Sequence, residues 1–306
     1  MPLFSVIIPC FNAGATIAGT LQSLQMQSCD DWEAICIDDG STDATCQIIE
    51  NMARLDTRIS LSQNPGKGPS DARNHGAINL ARGDLIAFCD ADDLWHNRKL
   101  SSLCEAFADP TIDGVFGQIE FFRAEPGDTL VRSTVPAGPL TIEMLLGENP
   151  VCSMSNITVR TRCFTQSQGF AADMVHNEDL EWLVRLVGGG AHIQGLDLLH
   201  TFYRTSSGGL SSDLCAMEKA RVRVLRSAAR FGVEPSRYNH AIHHRYLARR
   251  ALRLGRNRFC PLRHSVSGLA QSPSGFFSPP RRGVLTLAGA MGAAVLPAPL
   301  SRKLFS

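Results

Sequence analysis

Short apolar runs alternate with segments of helical periodicity through the first third of the chain, and this alternation limits the fold more than any other feature. Residues 4–8 (FSVII) and 85–88 (LIAF) are almost uniformly apolar, as expected of parallel strands that are covered on both faces. Between such runs, apolar residues recur at helical spacing, as at Ile17, Leu21 and Leu24. The pattern predicts an α/β fold: a doubly wound, mostly parallel sheet with helices on both faces.

The next hundred residues continue the same domain in a less regular way. A strand pair is predicted near residues 114–122 and 129–134, and a helix over residues 180–187 is stopped by the glycines that follow it. We therefore place one large domain over residues 1–213.

Charge is divided unevenly between this domain and the rest of the chain. Residues 1–214 hold 13 Lys and Arg against 27 Asp and Glu, whereas residues 215–306 hold 17 against 2. A cationic surface attracts phosphate groups and anionic lipid headgroups. Mutual attraction between the two parts of the chain is the alternative explanation.

The basic part is predicted to have two sections. Residues 214–259 are rich in Ala, Arg and Leu and predict two basic helices. Residues 260–306 begin as a linker rich in Ser, Pro and Gly and end in an apolar segment at 284–300, where the part before Pro297 is too short to span a bilayer comfortably. This segment either lies in a membrane interface or packs on the protein core, and the sequence leaves both open.

Cysteine usage indicates the compartment. The 10 cysteines are scattered, with no C-x-x-C pair and no Cys/His spacing typical of a metal site. No secretory signal is recognisable in the first residues. We therefore expect free thiols, no structural zinc and a cytoplasmic protein.

Polar residues follow three of the predicted strands, and in open α/β sheets ligands bind at these carboxyl ends. The first strand is followed by PCFN at residues 9–12, the second by DDGSTD at 38–43, and the fourth by DADD at 90–93. Neither a G-x-G-x-x-G motif nor a Walker A loop is present, so phosphates are not held in those ways.

The acidic run at residues 90–93 predicts a cation site. Carboxylates this close repel each other, and Mg²⁺ or Mn²⁺ prefers such oxygen ligands. Asp90 and Asp92 are the candidate ligands, whereas helix capping is the better explanation for Asp93. A carboxylate of the run at residues 38–43 is placed to accept a hydrogen bond from a nucleotide base, although this run taken alone could be only a turn and a helix cap.

These motifs together resemble the family 2 glycosyltransferases of the GT-A fold. The resemblance extends over about residues 3–211 and is carried by SVIIPCFN at 5–12, IDDGSTD at 37–43, DARNHG at 71–76, ARGDLIAFCDADD at 81–93, Trp95 with Lys99 and Leu100, and NEDLE at 177–181. The resemblance implies that Asp39 recognises the base and that Asp90 and Asp92 are the acidic ends of a D-x-D motif for ribose and a metal-bound diphosphate. It further implies a donor nucleotide site formed with Pro9, Phe11, Asn12, Arg73 and Arg204.

Asp179 resembles the catalytic base of inverting members of this family. An acidic first helical turn is the alternative explanation for Asp179, and a structural role is the alternative for Arg204. The processive members carry a Q-x-x-R-W motif that this chain lacks, so the resemblance implies transfer of one sugar per acceptor. The acceptor side is expected between about residues 122 and 170, including residues 150–155.

The sequence thus favours an inverting, metal-dependent transferase that uses a nucleotide-sugar, with a UDP-sugar as the preferred donor. The expected acceptor is a saccharide, with linkage to a polyisoprenyl diphosphate favoured, at the cytoplasmic face of a bacterial inner membrane in surface-polysaccharide synthesis. The alternatives are a nucleotidyltransferase, a sugar-nucleotide binder without activity, and a nucleic-acid-binding protein. Nucleic-acid binding is disfavoured because the acidic domain at residues 1–213 repels nucleic acid and no groove-reading motif accompanies the arginines.

Overall fold

The computed structural model describes residues 1–129, 131–205, 213–255 and 257–296. The chain forms two compact units. The first consists of Met1–Leu140 and Pro150–Ser206, and the second of Thr141–Asn149 and Ser207–Ser306.

The secondary-structure elements follow one another in this way along the described residues. The strands are β1 (Phe4–Cys10), β2 (Trp32–Asp38), β3 (Ile59–Gln63), β4 (Leu85–Phe88), β5 (Leu94–Trp95), β6 (Gly114–Phe122), β7 (Ile157–Arg160) and β8 (Ile193–Arg204). The helices are α1 (Ile17–Gln25), α2 (Thr45–Leu55), α3 (Gly68–Asn74), α4 (Lys99–Phe107), α5 (Ile142–Gly147), α6 (Thr161–Gln166), α7 (Glu178–Gly188), α8 (Leu214–Ala229), α9 (Arg237–Leu254), α10 (Cys260–Gln271), α11 (Pro273–Phe276) and α12 (Pro280–Val295). A π-helical turn, His75–Leu80, continues α3, and a 3-10 turn, Met154–Asn156, precedes β7.

The first unit is built on one 8-stranded sheet with the order β3-β2-β1-β4-β7-β6-β8-β5. Strands β1, β2, β3 and β4 are parallel, β7 runs antiparallel to β4 and β6, and β8 is parallel to β6. The predicted α/β fold with a mostly parallel sheet is confirmed. Because β1 lies between β2 and β4, the three strand ends that carry the predicted site come to one edge of the sheet.

The apolar runs that predicted the strands form the centre of the core. All seven residues of β2 and all four of β4 are buried, so helices cover both faces of these strands. Four aromatic rings, those of Phe88, Phe164, Phe170 and Trp182, pack with centroids between 4.8 and 6.0 Å apart. Since Trp182 belongs to α7 and Phe88 to β4, this packing fixes α7 against the sheet.

The predicted strand at residues 129–134 forms less regular structure than expected. Its pairing with β6 is an isolated bridge between Glu120 and Arg132, whose side chains also form an ion pair of 2.6 Å. Leu130 lies outside the described residues. The helix that follows β3 begins at Gly68 and changes to π-helical geometry at His75.

The second unit contains α5 and the helices from α8 onward. The two basic helices predicted within residues 214–259 correspond to α8 and α9. The linker predicted from residue 260 is instead largely helical, because its prolines stand where a helix tolerates them. Pro261, Pro273 and Pro280 each occupy the first turn of a helix, where no intrahelical N–H donor is needed.

Residues 141–149 belong to the second unit, although the sequence placed them within the domain at 1–213. Two interactions contribute: α5 buries apolar residues such as Leu145 and Leu146, and Glu148 attracts three arginines of the basic part. Its carboxylate lies 3.2 Å from Arg245, 3.3 Å from Arg249 and 3.4 Å from Arg282. Through these ion pairs, Glu148 connects the segment at residues 141–149 to α9 and α12.

All 10 cysteines are free. Across the described ranges, every helix is too short or too polar to cross a bilayer. Residues 297–300 of the predicted apolar segment lie outside the described residues.

His200 gives the first unit a predictable acid sensitivity. It is buried, its Nε2 lies 3.0 Å from Ser102 Oγ, and burial lowers its pKa to about 3. The unfolded chain takes up a proton near pH 6.5 while the folded chain does not, so stability is lost as the pH falls from about 6.5 toward 3. We expect this one group to lower the free energy of unfolding by about 2 kcal/mol between pH 7 and pH 5.

The measurement is urea denaturation followed by tryptophan fluorescence, since Trp32, Trp95 and Trp182 all belong to the first unit. His200→Gln should lose less stability between the two pH values than the wild type does. His192→Gln, at a partly exposed site, is the control and should behave as the wild type. Equal pH dependence in His200→Gln and the wild type would contradict the prediction.

Candidate active site

The ends of β1 and β2 lie side by side. Cys10 is paired with Asp38 in the parallel register, and the Asp39 N–H donates to the Cys10 carbonyl over 2.8 Å. Asp38 itself is buried, and its carboxylate accepts hydrogen bonds from the backbone of Gly40 and Ser41. Burial tends to raise the pKa of Asp38, but the hydrogen bonds with Ser41 outweigh it and lower that pKa overall.

Asp39 points its carboxylate toward the turn that precedes α3. Oδ1 accepts from Asn64 Nδ2 at 2.7 Å, and Oδ2 accepts from the Gly68 N–H at 3.0 Å. Lys67 Nζ lies 3.4 Å from Oδ2. These contacts hold the carboxylate in one orientation, and Gly68 can take part because its φ of 85° suits glycine.

Asn12 and Phe11 complete this side of the sheet edge, directly after the half-buried Pro9 of β1. Asn12 has a φ of 48°, and its Oδ1 accepts from the Thr42 N–H at 2.9 Å. The Phe11 ring is 58% exposed and lies 5.1 Å from Lys67 Nζ. An exposed aromatic face beside a fixed carboxylate is a suitable surface for a planar base.

Asp90 lies at the end of β4 and is held at its backbone and its side chain. Its N–H donates to Ser155 Oγ over 2.8 Å, and its Oδ1 accepts from Arg73 at 2.7 Å. Arg73 is buried and also donates to Glu178 Oε1 over 3.3 Å. Burial would lower the pKa of Arg73, but Asp90 and Glu178 outweigh it and raise that pKa, so the guanidinium stays charged.

The carboxyl group of Asp92 is partly buried and lies near the negative charge of Asp90. Burial raises its pKa to about 6, and the negative charge of Asp90 adds to the effect. Two neighbouring carboxylates are hard oxygen ligands of the kind that Mg²⁺ and Mn²⁺ take, with the remaining positions left to water and phosphate oxygens. Among the described residues no group of three or more His, Cys, Asp or Glu forms a complete metal site. Asp90 and Asp92 therefore fit a cation that a bound diphosphate helps to hold.

Asp93 and Arg204 have structural contacts. Asp93 is buried, and its Oδ1 accepts from the Arg204 N–H at 2.9 Å. The predicted role of Asp93 as a helix cap is therefore wrong, because its side chain binds the backbone of β8 instead. The Arg204 side chain donates to the carbonyls of Asp92 at 3.0 Å and Ala124 at 3.2 Å. These bonds fix the backbone of the acidic run. A contact between Arg204 and the diphosphate stays a prediction, and residues 206–212 that follow it lie outside the described residues.

Asp179 lies in the first turn of α7, after Asn177 in the left-handed conformation (φ 57°). Burial raises the pKa of Asp179, while the hydrogen bond from the Leu180 N–H, 2.7 Å from Oδ1, works in the opposite direction. Its neighbour Glu178 has a pKa raised to about 7 by burial and by the charge of Asp179. The helix end therefore brings two carboxyl groups with raised pKa values to the guanidinium of Arg73.

Four residues that sequence reasoning did not assign a catalytic or donor-site role hold this arrangement together. The Ser155 carbonyl accepts from Trp95 Nε1 at 2.9 Å and from Lys99 Nζ at 2.6 Å, while Glu178 shares Arg73 with Asp90. Lys99 is buried, and burial lowers its pKa to about 7. The run of acids at residues 178–181 was a signal for Glu178. No local pattern marks Ser155, because its partners, in residues 90–99 and at Thr201, are distant from it in the sequence.

The family model for glycosyl transferase family 2 matches residues 5–165, more than half of the chain. The chain belongs to glycosyl transferase family 2. All predicted site residues from Pro9 to Asp92 lie within the matched segment, while Asp179 and Arg204 lie beyond it.

Individual family members and solved structures agree with this assignment. An uncharacterized glycosyltransferase of Haemophilus influenzae is 44% identical over 33% of this chain and 40% of its own length. The UDP-Glc:alpha-D-GlcNAc-diphosphoundecaprenol beta-1,3-glucosyltransferase WfgD of Escherichia coli is 29% identical over 69% of this chain and 80% of its own length. The crystal structure of S. aureus TarS 1-349 with UDP-GlcNAc superposes with a TM-score of 0.65 at 19% identity, covering 99% of this chain and 91% of that one. The likeness to TarS confirms the predicted GT-A fold.

The chain spans only about half the length of several curated relatives of this family, from 40% to 57%. Membership of glycosyl transferase family 2 therefore fixes the fold and the position of the site, and the substrates are proposed separately below.

Arg73 supplies a stability prediction for this family 2 site. Arg73→Met leaves the carboxylates of Asp90, Glu178 and Asp179 without their buried counter-charge, and the loss of one partner of a buried ion pair costs about 3–5 kcal/mol. The loss is measured as the change in the free energy of unfolding, by urea denaturation at pH 7. Arg162→Met removes a more exposed ion pair with Asp113 and should cost at most about 1 kcal/mol. Equal losses in the two variants would contradict the role given to Arg73.

Proposed function

We propose that the chain is an inverting glycosyltransferase that transfers one sugar from a UDP-sugar to a hydroxyl group of a saccharide acceptor. One observation carries the proposal. A fixed carboxylate (Asp39), an acidic pair (Asp90 and Asp92) and a carboxyl group with a raised pKa (Asp179) all belong to the first unit of a family 2 chain.

The donor site is proposed at the ends of β1 and β2. Asp39 would accept a hydrogen bond from an N–H of the base, since its carboxylate is already oriented by Asn64 and Gly68. Phe11 offers an exposed ring against which the base stacks. A uridine nucleotide is favoured because the TarS structure contains UDP-GlcNAc and the name of WfgD specifies UDP-Glc.

The diphosphate is proposed to lie by the acidic run. Asp90 and Asp92 would hold Mn²⁺ or Mg²⁺, which as a Lewis acid stabilises the negative charge that develops on the leaving diphosphate. Arg73 orients Asp90 through its ion pair of 2.7 Å. Arg204 fixes the Asp92 backbone, and so positions the second carboxylate.

Asp179 is proposed as the general base. It would take the proton of the acceptor hydroxyl as that oxygen forms a bond to the anomeric carbon and the bond from this carbon to the diphosphate oxygen breaks. A single in-line displacement inverts the anomeric centre, and the nucleoside diphosphate leaves. The raised pKa of Asp179 brings its basicity closer to what proton transfer near neutral pH requires.

The acceptor is proposed to be a lipid-linked saccharide of surface-polysaccharide synthesis at the cytoplasmic face of a membrane. WfgD, whose named acceptor is a diphosphoundecaprenol-linked sugar, is the relative that supports this choice. From residue 215 onward the chain has 17 cationic residues against 2 acidic ones, a balance that suits an anionic membrane surface. Nucleic acid is the weaker choice because the first unit is acidic.

Asp179→Asn tests the chemical step. The amide oxygen can still accept from the Leu180 N–H, so the fold and UDP binding should be unchanged, whereas loss of the base should lower kcat by about 10²–10⁴-fold. The measurement is UDP release from UDP-glucose and UDP-GlcNAc with a GlcNAc-diphosphate lipid as acceptor. The control Asp173→Asn changes an exposed acid on the preceding loop and should keep wild-type turnover. Full turnover in Asp179→Asn would contradict the assignment of the base.

A further inference from the structure

The last described helix, α12, exposes most of its large apolar side chains. Four of them are 55%, 61%, 52% and 82% exposed, namely Val284, Leu285, Met291 and Val295, and the smaller Ala288 between them is exposed as well. At about 100° per residue these positions fall on one face of the helix. We call this face the α12 stripe. A surface helix of a globular protein normally buries such residues, so a contiguous exposed stripe marks an interaction surface.

The opposite face of α12 is already occupied. Its buried residues are small, namely Gly283, Thr286, Gly289, Ala290 and Ala293. At Gly283 a Cβ atom would lie 2.6 Å from the Phe276 carbonyl oxygen, so the helix packs closely on that side and cannot rotate its large residues inward without a clash. The outward orientation of the α12 stripe is therefore fixed by packing.

The charges around the stripe select the partner. From residue 235 to the end the chain contains 12 Lys and Arg and no Asp or Glu. Arg281 is exposed and precedes Val284 and Leu285 by three and four positions, which places it on the same face as the stripe. The acid that pairs with Arg282 of α12, Glu148, is shared with Arg245 and Arg249, so cations outnumber acids there. An apolar face with an exposed arginine on it and a surplus of positive charge nearby is complementary to an anionic lipid surface.

The length of the stripe decides how the helix meets the lipid. From Val284 to Val295 the rise is about 16 Å, roughly half of the hydrocarbon thickness of a bilayer. Only an orientation in the plane of the interface buries all five side chains of the stripe at once.

We propose that α12 lies flat in the interface of an anionic phospholipid bilayer, with the α12 stripe inserted and Arg281 at the headgroups. This inference deepens the proposed function and rests on it, because an enzyme that acts on a lipid-linked acceptor must work at the bilayer surface. It assigns the membrane contact to one face of one helix instead of to the basic part as a whole.

The test uses the full chain and sedimentation with phosphatidylcholine vesicles that either contain or lack phosphatidylglycerol. The wild type should bind the anionic vesicles, more weakly at high salt, and the neutral ones far less. Leu285→Gln combined with Met291→Gln should weaken binding at least about tenfold, because two apolar side chains no longer leave water. The matched control combines Leu55→Gln with Met26→Gln, which are 89% and 66% exposed in the first unit, and should bind as the wild type does.

Two results would overturn the proposal. The first is unchanged vesicle binding by the stripe variant. The second is a wild type that ignores vesicles but forms dimers in gel filtration, which the stripe variant converts to monomers; the α12 stripe would then be an interface between copies. The stabilisation of each variant by UDP and Mn²⁺ is measured in parallel. A stripe variant that loses vesicle binding but keeps this stabilisation separates the membrane contact from the donor site.

Discussion

The active site depends on one buried guanidinium. Arg73 connects the end of β4 with the start of α7 through its bonds to Asp90 and Glu178, and it also stabilises the charge of Asp179. Without a cation at this position, three carboxyl groups brought together by the fold would repel each other in a poorly solvated place. Arg73 lets the fold hold the proposed donor-site acid Asp90 beside the proposed base Asp179.

Asp39, Asp90 and Asp92 differ in the hydrogen-bond donors and cations that contact their carboxylates. Asp39 is fixed by Asn64, Gly68 and Lys67, and Asp90 by Arg73. Asp92 instead has a pKa raised to about 6 by burial and by Asp90. A divalent cation brought with the nucleotide diphosphate would supply the charge that the protein itself does not. In the proposed site, contacts within the protein hold Asp90, and the cation would neutralise Asp92.

The sequence was informative wherever function depends on short local motifs. Uniformly apolar strands predicted the parallel sheet, and the topology of such sheets then placed Asp39, Asp90 and Asp92 at one edge. The contacts of Ser155 with the acidic run could not be predicted, because its partners, in residues 90–99 and at Thr201, meet it only in the folded chain. The prolines from residue 261 onward were misleading as linker signals, since proline is compatible with both a loop and a first helical turn. The outward face of α12 likewise required the structure, because the apolar segment alone fitted a buried helix equally well.

The central claim is that the ends of β1, β2 and β4 form a metal-assisted nucleotide site, and nucleotide-dependent thermal stability tests it most directly. The protein is melted with Mn²⁺ and UDP, GDP, TDP or CDP, beside Asp92→Ala and the control Asp197→Ala, which removes an exposed acid of β8. At a hundredfold excess over Kd, a ligand stabilises the native state by about 2.7 kcal/mol. We expect a Mn²⁺-dependent shift with UDP in the wild type and in Asp197→Ala, and none in Asp92→Ala. No shift with any nucleotide, or an equal shift in Asp92→Ala, would contradict the account.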